Sequence, residues 1–156
     1  PPPAGPRAKM ALVLGPQHAG FVRLARDTAT RRLFVTSHRL GAATGPVVVV
    51  PAIEAVRRRG INVDVYYGTP TGHKSGTDAA RMTVLAAQDG VVIRPVREPR
   101  LHAKILAWDD DFLLVTSQNW LSADPGDASL RREIGIFVNA RGAARTTIER
   151  FEAIRK

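Results

Sequence analysis

The sequence predicts an α/β fold built on a mixed β-sheet flanked by helices, and two observations carry that expectation. Short runs rich in β-branched residues alternate with longer segments of helical periodicity through the first part of the chain, the order that lays helices on a partly parallel sheet. From Val91 onward, strand-like runs follow one another without a helix between them, which calls for antiparallel neighbours.

Each element has its own signal. Residues 1–8 are Pro-rich and read as a disordered stretch or linker remnant, with one folded domain over 9–156. Helical spacing predicts a helix from Gln17 to Thr30 with Phe21, Leu24 and Ala25 on one side. Arg32–Ser37 reads as a buried strand. A Gly-rich loop leads to a helix from Pro46 to Arg59, which Gly60 ends. Ile61–Tyr67 alternates cleanly and forms the next strand. A Gly/Pro/Thr loop runs to Gly76, and Thr77 or Asp78 caps a helix ending near Gly90. Val91–Ile93 is the third strand and a fourth carries His102. Asp109, Asp110 and Asp111 form a hairpin turn into a strand over Phe112–Val115. Ile148, Phe151 and Ile154 mark a closing helix that packs back on the sheet.

Composition bounds the function. A chain of 156 residues suits one domain with a substantial core. The absence of Cys excludes disulfides and thiolate metal sites. The apolar run Met10–Leu14 is far too short to span a membrane and no secretory signal is visible, so the expectation is a cytoplasmic protein without stable membrane insertion. An opening on Pro1-Pro2-Pro3 rather than Met suggests a piece of a longer parent. The formal net charge of +9 comes mostly from Arg, whose planar fork suits phosphate oxygens. It reads either as a solvated basic surface or as attraction to a polyanion such as nucleic acid.

The most informative run is Leu101–Asp109. In a strand, residues i and i+2 share a side, roughly 7 Å apart. Leu101, Ala103 and Ile105 then face a core, while His102 and Lys104 face outward together. An imidazole beside an ammonium is a nucleophile next to a fixed positive charge, an arrangement suited to phosphate. With Asp109 five residues after Lys104, and Ser117 and Asn119 beyond the next strand, the run resembles the phospholipase D superfamily. The signature of that superfamily is H-x-K-x4-D followed by x6-G-S-x-N. One departure is plain: Thr116 stands where the family has Gly. Glu133 falls where many members carry a Glu on the following strand. The resemblance covers nearly the whole chain beyond residue 30 and implies a phospholipase D-like half-domain.

The resemblance further implies that His102 attacks phosphorus to give a phosphohistidine, and that Lys104 and Asn119 hold the non-bridging oxygens while Ser117 hydrogen-bonds nearby. Glu133 is expected to orient a catalytic imidazole, its alternative being a surface acid paired with Arg131 or Arg132. Asp109 has the opposite strand parity from His102 and reads as a supporting residue of the site, not a phosphate contact. No metal or cofactor is needed for this chemistry.

A second imidazole must protonate the leaving oxygen. The family supplies it from a second motif, in the same chain or across a homodimer, and this sequence has one H-x-K and four His. Either two copies pair, or another half lies in a longer parent, or His38 or His73 serves within the chain. His38 and Arg39, after a strand end, are candidates for substrate contact, the alternative being plain solvation. Trp120 either stacks on a base or belongs to the core or rim. Gly68–Ser75 follows a strand like a phosphate-binding loop, but His73 occupies the position that needs the second Gly. Three consecutive Asp residues in a turn do not converge on one metal ion.

The leading expectation is a nuclease-like phosphodiesterase with a composite site. Its alternatives are one half of a lipid phosphodiesterase or phosphatidyl transferase, and a module that grips phosphate or nucleic acid without turnover.

Overall fold

The computed structural model describes residues 8–41, 46–71, 75–126 and 132–155. Among them seven strands form one sheet: β1 (Lys9–Leu14), β2 (Arg32–Gly41), β3 (Asn62–Thr71), β4 (Val91–Pro95), β5 (Ile105–Trp108), β6 (Phe112–Thr116) and β7 (Ile134–Asn139). Four helices accompany it: α1 (His18–Thr28), α2 (Pro46–Arg59), α3 (Ser75–Gln88) and α4 (Ala143–Arg155). The strand order is β1-β7-β6-β5-β2-β3-β4. β2, β3 and β4 are parallel and linked through α2 and α3; all other neighbours are antiparallel. The mixed sheet expected from the sequence is present.

Strand periodicity places the core. Leu33 and Val35 on β2 face the layer in which α1, α2 and α3 bury Val22, Ala25, Val48, Ala52 and Ala86. Phe34, between them, faces the opposite layer with Tyr66, Ile105 and Ala107, where α4 buries Ala144 and Ile148. The sheet is therefore sandwiched, as burial on both faces of a parallel sheet requires.

Several expectations need correction. Met10–Leu14, passed over as a short apolar run, belongs to an edge strand paired with β7. On α1 the buried residues are His18, Val22 and Ala25, whereas Leu24 is 41% exposed. Helix α3 begins at Ser75, ahead of the expected cap. Ile154 is exposed rather than packed. His102 and Lys104 precede β5 instead of lying within it, and Ala103 is exposed although Leu101 and Ile105 are buried. The reason is Thr36: its hydroxyl donates to Ala103 O at 2.9 Å and accepts from Ile105 N at 3.0 Å, so a side chain takes over where the β2–β5 ladder would continue. Glu133 likewise sits one residue before β7. The Pro-rich residues 1–7, His73 and Arg131 lie outside the described residues.

Candidate active site

The residues before β5 are held from two sides. Thr36 fixes Ala103 and Ile105 as above, and Thr116 N donates to Lys104 O at 3.2 Å. Those bonds lay His102 and Lys104 beside the end of β6, where Ser117 begins. The Lys104 ammonium lies 3.3 Å from His102 Nδ1 and donates to His102 O at 3.1 Å. Burial pushes its pKa below the usual ammonium value, and the Glu133 carboxylate opposes that shift.

His38 joins this pair. Its ring packs against His102 with centroids 4.5 Å apart and planes inclined by 35°. The close approach depends on Gly68 of β3. A Cβ there would lie 2.2 Å from Leu101 O, 3.0 Å from His38 O and 3.2 Å from Arg100 Cγ, so any side chain would force the two segments apart. Desolvation lowers the His38 pKa, and the nearby charges of His102, Arg39, Lys104 and Arg100 lower it further.

The loop after β6 supplies the acceptor and amide groups. Ser117 Oγ donates to Glu133 Oε2 in a short bond and accepts from Ile134 N at 3.0 Å, while Ser117 N donates to Ile134 O at 3.0 Å. Asn119 O accepts from Ser122 N and Ala123 N, which curls the chain back. The Asn119 side chain makes no hydrogen bond among the described residues, and its Oδ1 is buried without a partner. This buried oxygen without a partner lies on the loop that Ser117 ties to Glu133.

The other candidates are placed elsewhere. Asp109 lies at the opposite end of β5 from His102, in the β5–β6 turn. Its carboxylate accepts from Thr30 N, Arg31 N and Arg32 N at 2.9–3.3 Å and from the Thr30 hydroxyl, so it clamps the α1–β2 connection. Asp110 pairs with Arg31 and Asp111 accepts from Gly142 N. Trp120 is fully buried, edge-on to His18 at 5.5 Å, and so presents no face to a substrate base; it is a core residue.

Comparison with known proteins gives this geometry its context. Over residues 27–155 the sequence matches the family described as "Cardiolipin synthase, PLD-like domain". The chain belongs to the phospholipase D-like (PLD-like) family. Nuc, a phospholipase D family member from Salmonella typhimurium, has the same fold, with a TM-score of 0.74 at 18% identity over 94% of this chain and 93% of its own. NucT from Helicobacter pylori gives 0.61 at 12% identity with the same coverage. Phosphatidylserine synthase from Haemophilus influenzae Rd KW20 gives 0.69 at 13% identity, covering 97% of this chain and 39% of that one. No curated protein sequence matches the chain.

Within the PLD-like pattern the departure at Thr116 has a structural account. Thr116 pairs with Gly135 on β7, and a Cβ at Gly135 would lie 2.7 Å from Thr116 Cβ; the space that a Gly leaves is on the facing strand. The Thr116 hydroxyl lies 2.7 Å from His18 Nε2 and accepts from Gln118 N at 3.1 Å. His18 is fully buried, with Nδ1 2.7 Å from Gly15 O. A carbonyl only accepts, so Nδ1 carries the proton; in the neutral ring Nε2 then takes the Thr116 hydroxyl proton, for which Ile134 O at 3.1 Å is the competing acceptor. Burial lowers the His18 pKa, consistent with a neutral ring. Sequence reasoning missed His18, Thr36, Gly68 and Arg100. The one available signal was a His on the inner side of the first helix.

Proposed function

We propose that this PLD-like chain is a metal-independent phosphodiesterase that hydrolyses nucleic acid through a phosphohistidine on His102. The observation that carries the reading is the His102–Lys104 pair, fixed by Thr36 and Thr116 against the loop of Ser117 and Asn119, with Glu133 bonded to that loop. A diester phosphate drawn to Lys104 takes the ammonium off His102 Nδ1, and the ring's one proton passes from Nε2 to Nδ1 through solvent, which leaves the Nε2 lone pair to attack. The P–Nε2 bond forms as the P–O bond to the leaving group breaks, and the leaving oxygen takes a proton from a second imidazole. Water then attacks phosphorus, gives its proton to that imidazole, and breaks the P–N bond. Lys104 and Asn119 hold the non-bridging oxygens through both steps, where charge develops.

The second imidazole belongs to a second copy of this chain. His38 lies beside His102, ring against ring, whereas an in-line displacement needs its acid across the phosphorus from the nucleophile. A bare apolar face supports the pairing. Met10, Leu12 and Leu14 on β1, Ile134 and Ile136 on β7 and Val115 on β6 are 47–71% exposed. Cross-strand pairing places Leu12 opposite Ile136, Leu14 opposite Ile134 and Ile136 opposite Val115, so they form one continuous patch. Ile134 also bonds Ser117, which puts the patch at the margin of the site.

The test is cleavage of single- and double-stranded DNA and RNA, and of phosphatidyl lipid vesicles, with EDTA present. The expected result is cutting of nucleic acid that His102→Ala abolishes. Cutting that survives His102→Ala would refute the nucleophile, and turnover confined to the vesicles would replace the substrate with lipid.

A further inference from the structure

Arg39 and Arg100 lie near enough to His38 for their charges to act on its ring, and neither guanidinium has a partner among the described residues. Arg39 follows His38 on β2 and pairs across to Thr69 on β3. Arg100 precedes Leu101 and His102, and its stem passes over Gly68. The chain has other Arg residues whose charge is spent inside the fold: Arg31, Arg32 and Arg145 converge on Asp110, Arg57 meets Asp89, and Arg94 meets Asp64. Arg39 and Arg100 are exposed and make no ion pair or side-chain hydrogen bond among the described residues. Two like charges held near an imidazole pair and an ammonium repel one another, and an anion between them relieves that repulsion.

The reacting phosphate is already served by Lys104 and Asn119, so these two cations lie outside that set. Resting on the phosphodiesterase reading above, we propose that Arg39 and Arg100 form a second phosphate subsite that takes the neighbouring phosphate of a polymeric phosphodiester. The planar forks suit phosphate oxygens in paired bonds, which an ammonium does not reproduce. Gly68 is then a specificity element as well as a packing one. By leaving room for the Arg100 stem against β3, it sets the second subsite beside the first. A substrate with a single phosphate leaves the subsite empty, whereas a nucleic acid fills both.

The experiment compares two oligonucleotides, one with a single internal phosphodiester and one with two, for wild type and for Arg39→Gln/Arg100→Gln. Wild type is expected to favour the two-phosphate substrate in kcat/KM by about tenfold or more, and the double variant to lose that preference. Affinity for a longer single strand, measured on the His102→Ala background by fluorescence anisotropy, should also lose about 1.4 from its log–log salt slope when both Arg are replaced. A preference that persists in the double variant, or its absence from wild type, overturns the subsite. Cutting of neither substrate by folded wild type counts against the phosphodiesterase reading instead, and the salt slope then decides the subsite alone.

Discussion

His18 couples the first helix to the end of β6 through its contact with Thr116. Its ring is neutral and buried, with a pKa held below the ordinary 6.5. As pH falls through 6.5 the unfolded chain binds a proton that the folded chain refuses, so stability drops with acid until the folded pKa is reached. His18→Gln keeps an amide that can bond both neighbours and removes this titration. The melting temperature of the variant should therefore fall less than that of wild type between pH 7.5 and 5.5. An equal fall would place the titration elsewhere. The same reasoning applies to Thr116 and Gly135, which share one volume. Gly135→Ala should cost about 1–3 kcal/mol through overpacking. Thr116→Gly should leave the buried His18 nitrogen unsatisfied at a similar cost. Combined, the two should be less damaging than their sum, because removing the Thr116 side chain vacates most of the volume that a Cβ at position 135 needs, with Val115 O the contact that remains; denaturant melts of the four-member cycle read that coupling.

At the scale of elements, β2 organises the site. Thr36 holds the residues before β5, Ser37 Oγ accepts from Leu121 N at 3.3 Å just beyond Asn119, and His38 meets His102. Thr36→Val removes both bonds to the His102 segment at once. It should cost about 1–3 kcal/mol and lower kcat more than it raises KM, since the nucleophile is misplaced rather than the substrate contacts. A variant with unchanged kcat would show that the segment is held by other means. What was legible in the sequence follows from local signals. Helix α2 reads correctly because a Pro opens it and Gly60 closes it, with its amide on Val56 O at 2.7 Å. β1 was illegible because its large residues point outward and only Val13 is fully buried, the reverse of an ordinary edge strand. The spacing of His102, Lys104, Ser117 and Asn119 stands in the sequence itself, but the contacts of His38 with His102 and of Thr116 with His18 join residues 64 and 98 positions apart. No local pattern encodes such contacts.

On the whole-molecule scale, two surfaces with different chemistry meet at the site. In the proposed reading the apolar patch of β1, β6 and β7 receives a second half, and the Arg39–Arg100 margin beside His38 receives a polyanion. Among the described residues no helix is long and apolar enough to cross a membrane. Leu12→Asp places a charge in the middle of the apolar patch without touching the core. It should convert a dimer to a monomer by light scattering and abolish cutting, while altering stability by no more than about 0.5 kcal/mol, as for other exposed positions. A wild type that is already monomeric yet cuts would remove the need for a second copy. A monomer that cuts only when another PLD-like half is added would assign the partner to a longer parent chain.

The most direct measurement is capture of the covalent intermediate. Wild type is mixed with a 32P-labelled oligonucleotide in EDTA, quenched in alkali after a short reaction, and digested for peptide mass spectrometry. With the label on the scissile phosphate, the account predicts an acid-labile nucleotidyl phosphoramidate on the peptide containing His102, absent from His102→Ala. Active enzyme that carries no label, or label on another residue, would contradict it.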